Sequence, residues 1–143
     1  MPQRTAKLIY QELLKAEHIL LVPHVNPDGD ALGSVTALAA FLESIKKDYT
    51  IFCATEIPDN LRFLEHTDSI TTNPNIWKTN KKYTIALVDT GDLERAGIDQ
   101  LITQLKHAPI ILNIDHHATN QQFGTHNLVI EGASSTTEIL YMF

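Results

Sequence analysis

Four short apolar runs, Ile19–Val22, Tyr49–Cys53, Tyr83–Val88 and Ile110–Ile114, recur along this chain, and each is parted from the next by enough residues to form a helix. Runs of this length closed by Pro, Asp or a polar loop read as strands buried on both faces. Between the first two, Leu32, Val35, Leu38, Ala39, Leu42 and Ile45 recur at helical spacing, which predicts a helix over 31–47. Residues 3–17 read as another helix, with Leu8, Ile9, Leu13 and Leu14 apolar, and 59–66, 93–106 and 134–143 as three more. The last starts in Ser and Thr residues suited to capping. Residues 127–130 form a fifth strand candidate, and 67–82 a polar, irregular connection. Buried strands alternating with helices predict an α/β fold: a doubly wound, mostly parallel sheet with helices on both faces. A length of 143 residues suits one domain, 1–143.

Sheets of this kind bind ligands at the carboxyl ends of their strands. Three acidic clusters stand there: His24-Val25-Asn26-Pro27-Asp28-Gly29-Asp30, Val88-Asp89-Thr90-Gly91-Asp92 and Ile114-Asp115-His116-His117. Carboxylate oxygens mixed with imidazole nitrogens suit a divalent cation. Each cluster also has a plainer reading. Asn-Pro-Asp-Gly-Asp is a good turn, Asp30 could cap the helix starting near Ala31, and Asp89 could cap whatever follows its strand. Asp92 and Arg95, one turn apart, read as an N-cap with a local ion pair. If no cation offsets them, the carboxylates beside His24 should titrate high.

Adjacent histidines in an extended segment point in opposite directions, so one of His116 and His117 would bind metal while the other faces substrate or solvent. Asp115 would orient an imidazole from behind. His18, His66, His107 and His126 lack such company and read as surface residues. Cys53 closes a strand with no histidine placed near it, and reads as core. Gly132 to Thr137 reads as a helix start whose N–H groups could hold a phosphate.

A net charge of −6, with no basic run longer than the pairs at 46–47 and 81–82, argues against long duplex nucleic acid as a partner. The single cysteine excludes an internal disulfide and a thiolate cluster. No stretch approaches the roughly 20 apolar residues that span a bilayer, and the N-terminus lacks a signal-peptide core, so a cytoplasmic protein is expected. The nucleotide-binding patterns GxGxxG and GxxxxGK[ST] and the GxSxG elbow are all missing from the sequence.

In order along the chain, PHVNPDGDALGS, ALVDTGDLERAG and NIDHHATN resemble motifs I, II and III of the DHH phosphoesterases, and GASSTTEILY resembles a segment those proteins carry after the DHH motif. The resemblance runs from about Ile19 to the last residue, and NPDGDA with DTGD resembles the nanoRNase and pAp-phosphatase type. It implies two divalent cations, usually Mn²⁺. His24, Asp28 and Asp89 would hold one; Asp30, Asp89 and His116 would hold the other, with Asp89 shared. His117 would bind the phosphate or move a proton, and Asp115 would stand behind it. The implied reaction is hydrolysis of short single-stranded oligonucleotides or 3′-phosphoadenosine 5′-phosphate by a water activated between the metals. The alternative that the resemblance leaves open is a DHH enzyme for cyclic dinucleotides or pyrophosphate.

The family's fourth-motif aspartate and its C-terminal substrate-binding domain have no counterpart in these residues. With the apolar Ile139–Phe143 at the end of the last helix, this leads to the expectation of a partial domain with a weak second metal and little activity. The competing expectation is a non-catalytic metal- or partner-binding module, with that helix mediating association, including homodimer formation. A receiver-like signalling domain would explain neither His24 nor the paired histidines.

Overall fold

Every strand pairing is parallel in the computed structural model, which describes residues 2–143. In chain order the elements are α1 (Pro2–Lys15), β1 (His18–Val22), α2 (Gly29–Ser44), β2 (Tyr49–Phe52), β3 (Ile70–Thr71), β4 (Tyr83–Val88), β5 (Ile110–Asp115), β6 (His126–Val129) and α3 (Thr136–Met142). The sheet runs β3-β2-β1-β4-β5-β6. The chain therefore winds outward from β1 to one edge, returns to the middle at β4, and winds to the other edge. The reversal lies between β1 and β4, where the two connections leave in opposite directions and open a crevice at the carboxyl ends. Val22 lies opposite Leu87, and Val88 opposite Ile114, so the segments leaving β1, β4 and β5 emerge side by side.

All three α-helices cover one face. Ile9 and Leu13 of α1, Val35, Leu38 and Leu42 of α2 and Ile139 of α3 pack against Ile19, Leu21, Ala86, Val88, Leu112 and Ile114. Each Ile, Leu or Val among them contributes about 1.5–3 kcal/mol when fully buried. The opposite face carries Leu20, Val22, Ile85 and Leu87, covered by Trp77, Ala96 and Ile98 from irregular segments with short 3₁₀ turns at Pro74–Trp77 and Leu101–Gln104.

The helix expected over 93–106 is therefore absent, and Gly97 is the reason. After one helical turn its amide donates to Glu94 O at 2.9 Å and the next amide, of Ile98, to Leu93 O at 3.1 Å. With Gly97 at φ 71° this is a Schellman stop. A Cβ at Gly97 would lie 2.7 Å from Ala54 Cβ and 2.8 Å from Val25 Cγ1, so the close approach needs glycine as much as the conformation does. The expected 59–66 helix shrinks to a 3₁₀ turn at Asp59–Leu61. The connection 67–82 contributes β3, a two-residue edge strand too short to leave a periodic pattern.

Candidate functional site

His24 follows β1 and is set by its own loop. Its Nδ1 lies 2.7 Å from Val25 O. A carbonyl only accepts, so Nδ1 carries the hydrogen and neutral His24 has its lone pair on Nε2. That nitrogen faces Asp28 Oδ1 at 3.7 Å and Asp89 Oδ2 at 3.6 Å. These separations are too long for hydrogen bonds. The Asp89 carboxylate, with the Val25 carbonyl and Asp28, holds the His24 pKa above its ordinary value against the opposing effect of burial.

The cap of α2 is Asp28 and not Asp30: its Oδ1 accepts the Ala31 amide at 2.9 Å, which accounts for the helix starting at Gly29. Asp30 projects instead to the start of α3, where its carboxylate accepts the Thr136 amide at 3.0 Å, the Thr137 amide at 3.0 Å and the Thr137 hydroxyl at 2.6 Å. Burial pushes the Asp30 carboxyl up, but the Thr137 hydroxyl and the two amides outweigh it and its pKa lies below the usual value. This corrects two expectations. The N-terminal amides of α3 are taken by Asp30 and are not free for phosphate, and the carboxylates near His24 do not all titrate high.

Asp89 does. Its side chain is 2% exposed, and burial, with the Asp30 charge adding to it, raises its pKa. Its backbone sits in the left-handed region at φ 59°, a conformation that costs a non-glycine residue and turns the chain sharply out of β4. The buried Thr136 hydroxyl donates to Asp89 Oδ1 at 3.0 Å. Oδ1 also lies 3.6 Å from His116 Nε2, which is in turn 3.5 Å from Asp30 Oδ2. Each oxygen of one buried carboxylate therefore faces a different histidine–aspartate pair.

Both histidines after β5 reach this centre. β5 ends at Asp115, and a turn closed by the Asn120 amide donating to His117 O at 3.2 Å follows, so strand alternation is not carried through the two histidines. The rings of His116 and His117 have centroids 4.3 Å apart, and His117 Nδ1 lies 3.8 Å from Asp89 Oδ1. The opposite orientation expected from an extended strand is thus corrected. Asp115 is buried and fully engaged: Oδ1 accepts the His116 amide at 2.8 Å and His117 Nδ1–H at 2.6 Å, and Oδ2 accepts Asn120 Nδ2 at 2.8 Å. With Nδ1 donating, the Nε2 of half-exposed His117 is free to act in the cleft.

Two groups present ligand atoms within 4.8 Å of one another and could hold a metal ion: His24, Asp28 and Asp89, and Asp89, Asp115, His116 and His117. Asp30 lies beside the second group through His116. The cleft over them, about 170 Å³, is lined by His24, Asp28, Asp89, Gly91, Arg95, His117 and Thr119. Asn120 and Thr136 are given no individual role by the sequence, although both lie in segments it marks, Asn120 in NIDHHATN and Thr136 in the helix start from Gly132 to Thr137. Arg95 is expected only in a local pair with Asp92. Asp92 Oδ1 does accept the Arg95 amide at 2.7 Å, but it caps a single turn and the two side chains form no ion pair.

Cys53 is buried, and burial pushes its thiol pKa up. His107 is exposed as expected. His18, His66 and His126 are half-buried, with His18 Nε2 2.8 Å from Thr50 Oγ1. Among the described residues no helix is long and apolar enough to cross a membrane.

Comparison with known proteins places these features in context. The family model described as DHH family, N-terminal domain, matches residues 18–143. The bifunctional oligoribonuclease and PAP phosphatase NrnA of Thermus thermophilus is 29% identical over 131 residues, covering 90% of this chain and 37% of that protein. The protein of the same name from Bacillus subtilis is 31% identical over 126 residues, covering 86% of this chain and 36% of its own length. The chain thus spans little more than a third of the length of these relatives. An exopolyphosphatase-related protein from Bacteroides fragilis superposes with a TM-score of 0.84 at 24% identity, over 98% of this chain and 42% of that one, which is a likeness of fold.

Proposed function

The chain belongs to the DHH family, and we propose that it is a Mn²⁺-dependent phosphohydrolase of short single-stranded oligonucleotides, of 3′-phosphoadenosine 5′-phosphate, or of both. Two relatives bearing the name of an oligoribonuclease and PAP phosphatase support that substrate class. The observation that carries the reading is Asp89, whose two oxygens face His24 with Asp28 on one side and His116 with Asp30 on the other.

The donor set fits a pair of divalent cations. His24 and His116 each stand 3.5–3.7 Å from two carboxylates, His24 from Asp28 and Asp89 and His116 from Asp30 and Asp89, near enough for shared ions, and the lone pair of neutral His24 is turned inward by the Val25 carbonyl. His24, Asp28 and Asp89 would hold one cation; Asp30, Asp89 and His116 would hold the other. The second set is the weaker, because a cation there competes with the three donors that Asp30 already accepts. Bound cations supply Lewis acidity, neutralising charge on phosphoryl oxygens and making a water acidic enough to attack near neutral pH.

The chain's own groups do the rest. Thr136 fixes the Asp89 carboxylate from the buried side. Asp115 holds Nδ1–H of His117, so that Nε2 can bind a phosphoryl oxygen or pass a proton to the departing oxygen. The crevice between the β1 and β4 connections keeps these groups together on rigid strand ends.

The test is hydrolysis of a short RNA and of 3′-phosphoadenosine 5′-phosphate with and without Mn²⁺, alongside His116→Ala. Turnover that needs Mn²⁺ and is lost in the variant is expected. No turnover of either substrate, together with unchanged Mn²⁺ affinity in the variant, would refute the proposal.

A further inference from the structure

We propose that Arg95 is the anion-recognition arm of this cleft, donating its guanidinium to a non-bridging oxygen of the phosphoryl group that occupies it. The inference rests on the phosphohydrolase reading and adds a substrate-binding residue to it.

Arg95 is the one Lys or Arg lining the cleft, alongside Asp28 and Asp89. Arg95 is exposed, with its head open to solvent; a guanidinium within reach of carboxylates can still pair with one, because bidentate Arg–carboxylate contacts are among the stronger polar interactions. Among the described residues Arg95 pairs with neither of these carboxylates, nor with Asp92 in its own turn. Its backbone is nevertheless held at both ends: the amide donates to Asp92 Oδ1 at 2.7 Å, and the carbonyl accepts the Val25 amide at 2.8 Å. The second contact ties Arg95 to the loop that carries His24. Gly97 closes the same turn, in a conformation and at a separation that admit no side chain. A turn this constrained fixes the root of a side chain whose head is left without a partner.

Charge explains what that head is for. Once cations occupy the carboxylates, Asp28 and Asp89 are no longer available to a guanidinium, and the remaining charged or polar lining is Arg95, His117 and Thr119. Such a pocket favours an oxyanion. A volume of about 170 Å³ equals about five or six waters, room for a phosphoryl group. The fork geometry of Arg matches the tetrahedral oxygens of phosphate, which a lysine contacts only as a point charge.

The experiment titrates inorganic phosphate into the Mn²⁺-loaded protein by calorimetry, comparing wild type with Arg95→Ala and Arg95→Lys. Mn²⁺ affinity and melting temperature are measured on the same samples. Phosphate affinity should fall about tenfold or more in Arg95→Ala, as expected for loss of a charge-assisted contact. Arg95→Lys should recover part of it, with Mn²⁺ affinity and melting temperature unchanged in both. Unchanged phosphate affinity in Arg95→Ala overturns the inference, and so does a parallel fall in Mn²⁺ affinity or melting temperature, which would make Arg95 a support of the turn. A wild-type protein that binds Mn²⁺ but not phosphate overturns the Arg95 role alone. One that binds no Mn²⁺ overturns the metal reading and this inference with it.

Discussion

Replacing Asp115 by Asn should damage both stability and turnover while altering almost no atoms in size. The carboxylate accepts three donors, from the His116 amide, His117 Nδ1 and Asn120 Nδ2. An amide keeps one acceptor oxygen, enough for the two histidine donors, and turns an NH₂ group toward Asn120 Nδ2. Asn120 cannot flip to meet it, because its own Oδ1 already accepts Asn113 Nδ2 at 2.8 Å and the Gln122 amide at 2.8 Å. Charge-assisted bonds contribute about 1.5–3 kcal/mol against 0.5–1.5 for neutral ones, so the two retained bonds, stripped of charge, lose about 2 kcal/mol. Two opposed buried donors cost about 1–3 kcal/mol more, and relief from burying a charge offsets part of the total. The expected net loss is about 2–4 kcal/mol, which for a chain of 143 residues lowers the melting temperature by about 6–12 °C. Turnover should fall about 10–100-fold, the usual effect of removing a group that orients an active-site imidazole. Thermal melts in chelator and steady-state hydrolysis on one preparation check both. A melting temperature within about 2 °C of wild type, with unchanged turnover, would refute the positioning role of Asp115.

Gly97→Ala should cost about 2–4 kcal/mol, because it combines a strained φ with two contacts below 3 Å, and urea denaturation will report it. Burial, with Lys81 adding to it, holds the His18 pKa below its ordinary value. The fold therefore binds fewer protons than the unfolded chain, so this contribution is complete above a pH of about 6.5 and is lost as pH falls below that value. In metal-free protein, His18→Gln should flatten the drop in urea midpoint between about pH 7.5 and about pH 5.5; an unaltered drop would assign it to other groups. The Asp89 pKa is raised, so its charge opposes folding at neutral pH, and metal-free Asp89→Asn should melt no lower than wild type. A clearly lower melt would show that the carboxylate stabilises the empty site.

Much of the architecture was legible because buried parallel strands write continuous apolar runs: Tyr83–Val88 was bounded to the residue, and β1, β2 and β5 to within one. The site clusters were legible for a related reason, since polar residues directly after such runs must emerge at one sheet edge. Other features depend on contacts that no local pattern encodes. Gly97 ended a helix because its turn meets Ala54 and Val25, which are far from it in sequence. Asp30 left its expected capping place to serve a helix that starts at Thr136. His116 and His117 share a side because the strand stops at Asp115, one residue too early for alternation to apply. Arg95 was read with Asp92 as a local pair, whereas the fold ties its backbone to the loop after β1.

The sharing of Asp89 between two cations is the central claim, and calorimetric Mn²⁺ titration of the wild-type chain and Asp89→Asn tests it most directly. Two Mn²⁺ ions per wild-type chain, the second weaker, with both weakened together in Asp89→Asn, is the result expected from a carboxylate that faces both histidine–aspartate pairs. Loss of a single ion in the variant, or affinities the same as wild type, would contradict it.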